Sequence, residues 1–220
     1  MATREMMLQR IKQAVVEGNR AGGAPPLPRR GTVGYQGAGA DIVQRFCAEL
    51  TAAGGIAHHA DIITDVVRVV ESILQPLHAH KLLLSAGGAV KRLGLPSILR
   101  DLGYDVRVVN ETPTRDELFA ADVGITNVHR LIAETGSVVV ATSPSEPRSA
   151  SLLPLVHIAI AERSQILPDL FDLFDLYAPT QSLPPACLTL ITGPSKTGDI
   201  ELKLVTGVHG PGEIHVILVD

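Results

Sequence analysis

The side chains best suited to bind an anion lie in two glycine-rich stretches near the C-terminal end of the 220-residue sequence. The first stretch supplies a glycine, two hydroxyls, an ammonium and a carboxylate, at Gly193, Ser195, Lys196, Thr197 and Asp199. The second, GVHGP, places His209 and Gly210 in a loop before the last apolar run. Hydroxyls, cations and backbone N–H groups are the donors with which proteins bind phosphates and carboxylates. The two stretches therefore predict a small-anion site.

A strand followed by a helix is expected to frame the first stretch. The apolar run from Cys187 to Ile191 predicts a buried strand, and Asp199 stands where a helix N-cap is expected, with Glu201 in the first turn. A helix start offers unpaired N–H groups and about half a positive charge, which favour anion binding. We therefore predict a helix that begins at Asp199. The alternative is an ordinary strand-to-helix turn that binds nothing.

Neither of two common phosphate-binding motifs is present. The P-loop requires a glycine directly before its Lys-Ser/Thr pair, whereas Ser195 precedes Lys196. The dinucleotide fingerprint requires three glycines, and Ile42 occupies the third position after Gly37 and Gly39. A nucleoside triphosphatase or an NAD enzyme is therefore disfavoured.

Charged residues upstream are further candidates for chemistry. Glu134 precedes Thr135 and Gly136 between two β-branched runs, a pattern that predicts a hairpin. A carboxylate there could act as a nucleophile or base, and the alternative is a solvated hairpin turn. Arg148 follows a Pro/Ser-rich loop and could clamp a carboxylate or phosphate.

The histidines divide by their surroundings. His157 lies inside an apolar run, which indicates a core position, whereas His209 between glycines has no core to join. For His209, contact with a ligand, a catalytic role and a plain loop position all stay open. The remaining candidates lack a fourth metal partner nearby and are predicted to be surface residues: His58, His59, His78 and His80.

Composition excludes several classes of function. The net charge is −4 and aromatic residues make up 3% of the chain, so neither the basic patch nor the stacking platforms of nucleic-acid-binding proteins are expected. Cys47 and Cys187 are the only cysteines, are predicted to be small core residues, and cannot supply the four thiolates of a usual iron–sulfur cluster. With neither a signal peptide nor a membrane-spanning run in the sequence, we expect a cytoplasmic protein.

The order of periodic segments predicts an α/β fold. Residues 1–40 read as an N-terminal helix followed by a Gly/Pro-rich arm, and residues 41–220 as one α/β domain. Helical and strand patterns alternate from Asp41 onwards until the hairpin at Glu134. This alternation predicts a mostly parallel sheet flanked by helices, with an inserted antiparallel hairpin.

Four motifs occur in an order that resembles the LUD-domain family, and within it the lactate-utilisation proteins of bacteria: AETGS, RSASLLPLVHIAI, GPSKTGDIE and GVHGP. The resemblance covers about Lys81 to Asp220. It implies a fold similar to that of ribose-5-phosphate isomerase and the CoA transferases, and AETG is similar to the nucleophile motif of class I CoA transferases. Asn127 and His129 depart from the family, in which a small and then an acidic residue are common.

Three functions follow from the resemblance and the candidate residues. The first is a non-redox component of L-lactate utilisation that binds a small anion and no tight cofactor, beside iron–sulfur proteins that convert lactate to pyruvate. The second is an enzyme on a phosphorylated or CoA-linked substrate, with Glu134 as nucleophile or base. The third is a scaffold whose loops contact proteins.

Overall fold

The computed structural model of the chain describes residues 3–18, 38–177, 185–198 and 204–220. It divides into two units, Met1–Tyr35 and Gln36–Asp220. In the first unit, helix α1 (Arg4–Gly18) buries none of its side chains. The Gly/Pro-rich arm predicted after this helix lies almost entirely outside the described residues.

The described part of the second unit contains helices and strands in alternation. The helices are α2 (Ile42–Ala53), α3 (Ile63–Leu74), α4 (Gly88–Arg92), α5 (Leu95–Asp101), α6 (Arg115–Phe119), α7 (Ser149–Leu152) and α8 (Leu170–Asp175). The strands are β1 (Ile56–Ala60), β2 (Lys81–Leu84), β3 (Asp105–Val108), β4 (Val123–Asn127), β5 (Arg130–Ile132), β6 (Ser137–Ala141), β7 (Val156–Glu162), β8 (Ile166–Leu167), β9 (Leu188–Ile191), β10 (Lys196–Gly198), β11 (Leu204–Thr206) and β12 (Glu213–Val219).

Six strands form a fully parallel sheet in the order β1-β12-β7-β4-β2-β3. Its central strands are nearly continuous apolar runs, as expected for strands buried on both faces. One face packs against α3, α4 and α5, and the other against α2 and a smaller sheet. The prediction of a mostly parallel, helix-flanked sheet is confirmed.

The smaller sheet has the order β8-β5-β6-β9 and contains the predicted hairpin, β5 with β6. Gly136 in the hairpin turn has φ +63°, and a Cβ placed on it would lie 2.1 Å from the backbone nitrogen of Leu50. Only glycine fits at this contact between the turn and α2. The backbone of the hairpin turn therefore packs directly against the backbone of α2.

Side-chain caps fix the starts of helices that the sequence predicted. Asp41 Oδ1 accepts from the backbone N–H groups of Val43 and Gln44, both at 3.0 Å, at the start of α2. Thr114 and Glu117 form a reciprocal capping box at the start of α6. Such caps satisfy N–H groups that have no partner within the helix.

The described residues on either side of the helix predicted at Asp199 form strands. Lys196–Gly198 and Leu204–Thr206 pair as the antiparallel strands β10 and β11. Residues 199–203, Asp199 among them, lie outside the described residues. The anion site is therefore assessed from the side chains and loops of the described residues.

Two burial predictions are wrong. The run ending at Ile191 forms β9, which among the described strands pairs only with β6, and Leu190 is 42% exposed. An edge strand has one unpaired side, and its apolar side chains are correspondingly less covered. Cys47 and Cys187 are partly exposed rather than fully buried, and Cys47 packs against the core between α2 and the smaller sheet. Among the described helices, none has the length and apolar character that crossing a membrane requires.

Candidate functional site

The two glycine-rich stretches meet, as the sequence predicted. The backbone N–H of Ser195 donates to Pro211 at 2.8 Å, and that of Gly207 donates to the Ser195 carbonyl at 3.1 Å. The His209 N–H lies 3.4 Å from Ser195 Oγ. These bonds join residues that are distant in sequence, so they hold the two loops in one arrangement.

Between the loops and the main sheet lies a cleft of about 310 Å³. Its polar lining consists of Ser151, His157, Thr189, Ser195, Lys196 and His209. Its apolar lining includes Leu152, Leu190, Ile191, Pro194, Pro211 and Ile214. We call this cavity the loop cleft. Polar and apolar side chains thus line the cleft in similar number, so it offers hydrogen-bond donors next to apolar surface.

Gly193 is required where the first loop passes α2. Its φ is +79°, and a Cβ there would lie 2.4 Å from the carbonyl oxygen of Ala53. The same carbonyl accepts from Lys196 Nζ at 2.7 Å. Ala53 is the last residue of α2, where carbonyl groups lack helical partners and a cation is favoured. The ammonium group of Lys196 thus already stabilises a helix end, with two protons left for other acceptors.

His157 lies on the floor of the loop cleft. Its side chain is 0% exposed, and its Nε2 lies 2.8 Å from the hydroxyl oxygen of Thr126. Its Nδ1 is buried and has no hydrogen-bond partner among the described residues. Burial lowers the pKa of His157 to about 4, and His215 acts in the same direction. The ring is therefore neutral at pH 7. The sequence predicted its burial correctly but not its place in the cleft.

The hairpin residues predicted for the site lie apart from the cleft lining. The N–H of Glu134 donates to Pro168 at 3.0 Å, and its side chain is half-exposed. The Thr135 hydroxyl lies 2.6 Å from that of Ser137, which lies 2.6 Å from that of Thr192. This chain of hydroxyls ends next to Gly193. Among the described residues that line the cleft, neither Glu134 nor its two turn neighbours are found.

Other predicted site residues also lie outside the lining. Arg148 is exposed, and its Nη1 is 4.0 Å from Cys187 Sγ. Thr197 lies opposite Val205 in the β10–β11 hairpin and does not belong to the described lining. Gly210 does line the cleft, and a Cβ on it would lie 3.6 Å from that of Ser195. The structure thus brings together Gly193, Ser195, Lys196, His209 and Gly210.

The family model of the LUD domain matches residues 43–219. The chain belongs to the LUD-domain family. The match includes the loop cleft, the hairpin and the whole parallel sheet. The family resemblance carried by the four motifs is therefore confirmed.

Similar proteins in the LUD family share one name. Lactate utilization protein C of Macrococcus caseolyticus is 44% identical over 103 residues, which cover 46% of this chain and 45% of that protein. Its namesake in Halalkalibacterium halodurans is 30% identical over 172 residues, covering 74% of both chains. Lactate utilization protein C of Bacillus subtilis is 43% identical over 103 residues, or 43% of its length. The Macrococcus and Bacillus subtilis matches thus span less than half of those proteins.

A solved structure shows the same fold. The crystal structure of a DUF162 family protein from Deinococcus radiodurans superposes with a TM-score of 0.57 at 23% sequence identity. The superposition covers 81% of this chain and 96% of that one. This likeness supports the architecture of the LUD domain and says nothing of its ligand.

A second polar cluster of this LUD domain escaped the sequence analysis. Ser85, Asn127 and Glu146 are at most 9% exposed and lie at the carboxyl ends of β2 and β4. After β2 the chain continues to β3, on one side of β2 in the sheet, and after β4 the next strand of this sheet is β7, on the other side. The strand order therefore reverses between β2 and β4. Ligands of open α/β sheets commonly bind outside such a reversal point. We call these three residues the switch-point cluster.

Asn127 is the hub of the switch-point cluster. Its Nδ2 lies 2.8 Å from Ser85 Oγ, 2.5 Å from the Gly87 carbonyl and 2.9 Å from Glu146 Oε2. Its Oδ1 accepts from the N–H of Val90 at 2.9 Å. Asn127 thus fixes the loop after β2. Two adjacent glycines after an apolar run, Gly87 and Gly88, were the available signal for this loop.

The pKa of Glu146 is higher than that of an ordinary glutamate. Burial raises its pKa to about 7, although hydrogen bonds from Asn127 and Ser85 act in the opposite direction. Its Oε1 is buried without a partner among the described residues. A carboxyl group that is half protonated near neutral pH can give or take a proton. No signal in the sequence marked this glutamate, because its partners lie far away along the chain.

One predicted surface histidine is half-buried. His58 Nε2 lies 3.0 Å from His215 Nδ1, with the rings stacked at 5.3 Å between centroids. Burial lowers the pKa of both imidazoles, while Glu213 opposes this for His215. The pair lies at the β1–β12 edge of the sheet and packs there as neutral rings.

Proposed function

We propose that this LUD-domain protein takes part in bacterial lactate utilisation as a non-redox component that binds a small anion in the loop cleft. The names of its relatives support the process. The convergence of Ser195, Lys196 and His209 above the buried His157 supports the site, and it is the observation on which the proposal rests. In this site the described donors come from the two glycine-rich stretches and from β7.

The partners follow from the same proposal. Lactate oxidation to pyruvate removes two electrons, which need a redox carrier. Cys47 and Cys187 fall short of the four thiolates that usually ligate an iron–sulfur cluster. We therefore assign the clusters to iron–sulfur partner proteins in the cytoplasm, and to this chain the binding of substrate or product.

Thermal unfolding in the presence of candidate anions tests the proposal. At about 100 times its Kd, a ligand should raise Tm by about 5 to 10 °C. L-Lactate, pyruvate, phosphate and sulfate are the probes. The double variant Ser195→Ala with Lys196→Ala should lose at least half of the Tm increase, because both side chains line the cleft.

The matched control changes the same residue types far from the cleft. Ser72 and Lys91 are both exposed, so Ser72→Ala with Lys91→Ala should keep the full Tm increase. If none of the four anions stabilises the parent, the proposal fails. It also fails if the cleft variant responds as fully as the parent does.

A second candidate function keeps Glu134 as a nucleophile or base on a CoA-linked or phosphorylated substrate. The chain of hydroxyls from Thr135 through Ser137 to Thr192 favours it, since it connects the hairpin turn to the edge of the cleft. Incubation with acyl-CoA followed by mass spectrometry of the intact chain tests it. A covalent adduct that Glu134→Gln abolishes would support this enzyme, and an unmodified chain would count against it.

A further inference from the structure

We propose that the loop cleft selects a small monocarboxylate, and that the Nδ1–H group of His157 donates a hydrogen bond to its carboxylate. The inference rests on the proposed anion-binding role of the cleft and adds the class of ligand and the residue that recognises it. Three observations support it. Nδ1 of His157 is buried without a partner among the described residues, Nε2 contacts the Thr126 hydroxyl, and His157 belongs to the lining of the cleft.

The tautomer of His157 follows from the hydrogen-bond inventory. Thr126 is 0% exposed, and its hydroxyl has His157 Nε2 as its contact among the described residues. If Nε2 carried the proton, both the Thr126 hydroxyl hydrogen and the Nδ1 lone pair would lack partners. If the hydroxyl donates to Nε2, only the Nδ1–H group lacks one. We assign the second arrangement because it leaves fewer buried polar groups unpaired.

A buried N–H group without a partner is unfavourable, because it loses its hydration without gaining a hydrogen bond. We place the Nδ1–H group toward the cleft, whose lining includes His157, so that a ligand oxygen there would give it a partner. A buried donor without a partner, on the floor of a cavity, is thus prepared for an acceptor. An ordered water molecule could also accept this bond, and the experiment below separates the two.

The charge of the cleft favours one negative charge over two. His157 is neutral, and Lys196 already donates to the Ala53 carbonyl at 2.7 Å. Ser195 contributes a neutral hydroxyl. A phosphate dianion would therefore lose more hydration than these groups replace. A single delocalised charge is easier to satisfy with neutral donors.

The apolar lining favours a ligand with a short carbon skeleton. Leu152, Ile191 and Ile214 line the same cleft as the donors, and Ile214 is paired beside His157 in the sheet. A methyl or methylene group can pack there while the carboxylate reaches the floor. The ligand class that fits is a short 2-hydroxy or 2-oxo monocarboxylic acid.

The decisive experiment is nitrogen NMR on the full chain with 15N-labelled histidine. At pH 7 without ligand, we expect His157 to show a protonated Nδ1 and an unprotonated Nε2. Titration with pyruvate or L-lactate should shift the Nδ1 resonance in proportion to occupancy, and phosphate should not. A structural histidine that packs but does not contact ligand would keep its resonance unchanged.

Two isosteric variants provide the matched pair. The amide of asparagine can replace the Nδ1 donor, whereas that of glutamine can replace Nε2 and its bond to Thr126. His157→Gln should weaken monocarboxylate binding about 10- to 100-fold, the loss expected for one hydrogen bond to a charged group. His157→Asn should bind more tightly than His157→Gln.

The outcomes separate this inference from the proposed function. If a monocarboxylate stabilises the chain but leaves the Nδ1 resonance of His157 unmoved, the inference is wrong and the anion-binding role stands. Tighter binding of phosphate than of pyruvate and lactate would likewise overturn the inference alone. If no anion binds, the proposed function fails and the inference fails with it.

Discussion

Two buried side chains of this LUD domain have pKa values shifted in opposite directions, and each has a polar atom without a hydrogen-bond partner among the described residues. Burial holds His157 neutral by lowering its pKa to about 4, and holds Glu146 half protonated by raising its pKa to about 7. In both cases the charged form is the one that loses hydration. The two residues lie at opposite ends of the parallel strands, His157 near the start of β7 and Glu146 beyond the end of β4. Their chemistry is therefore separate.

Glu146→Gln should change how stability depends on pH. The folded pKa of Glu146 is about 7, against 4.5 as its ordinary value. The stability that the neutral carboxyl contributes is thus present below pH 4.5 and lost as pH rises through 7. Relative to the parent, the amide variant should gain up to about 3 kcal/mol between pH 4.5 and pH 8.5. Urea unfolding at a series of pH values measures this gain.

Glu71→Gln is the control for that series, because Glu71 is a partly exposed glutamate on α3, away from the switch-point cluster. It should change the stability difference little across the same pH range. A Glu146→Gln variant whose stability follows the parent at every pH would show that Glu146 ionises freely in the folded chain.

At the scale of elements, local patterns predicted what local contacts determine. The caps at Asp41 and Thr114, the alternation of helices and strands, and the hairpin around Gly136 all follow from residues close in sequence. The β10–β11 hairpin was not predicted, because aspartate and glutamate at positions 199 and 201 are residue types that are common at helix starts. The pairing of Lys196–Gly198 with Leu204–Thr206 depends on contacts between two separate segments.

The candidate site likewise combines features that nearby residues predict with features that depend on contacts between distant residues. Ser195 and His209 were predictable as donors from their glycine-rich surroundings, but their contact depends on loop bonds across the chain. His157 was correctly predicted to be buried. Its unpaired nitrogen depends on Thr126 from another strand. The environment of Glu146 depends on Asn127 and Ser85. These two residues lie on different strands and meet only because of the strand order of the sheet.

Gly136→Ala tests how closely the hairpin depends on α2. An added Cβ would lie 2.1 Å from the Leu50 nitrogen, and the backbone φ of +63° adds strain. Because neither backbone can move easily, we expect a loss of more than about 3 kcal/mol in unfolding free energy. Gly103→Ala is the matched control, with φ +93° but nothing within 4 Å. It should lose about 1 to 2 kcal/mol. Equal losses in denaturant unfolding would contradict the close contact.

At the scale of the whole second unit, the loop cleft is built from several elements. Its described lining comes from α7, β7, β9, β12 and the two glycine-rich loops. The loops are held by the bonds from Ser195 to Pro211 and from Gly207 to Ser195. A ligand that contacts both loops must therefore stabilise them together, since opening either one would break the shared bonds.

Amide hydrogen exchange measures that coupling directly. Saturating pyruvate should slow exchange at the amides of Ser195 and Gly207 by a similar factor, because both bonds must break in one opening event. At ligand concentrations of about 100 Kd the slowing should approach 100-fold where opening requires ligand release. The amide of Gly103, in the turn after α5, provides the internal control and should be unchanged. Protection of Ser195 without Gly207 would show that the ligand contacts one loop only, and that the loop cleft is not a single site.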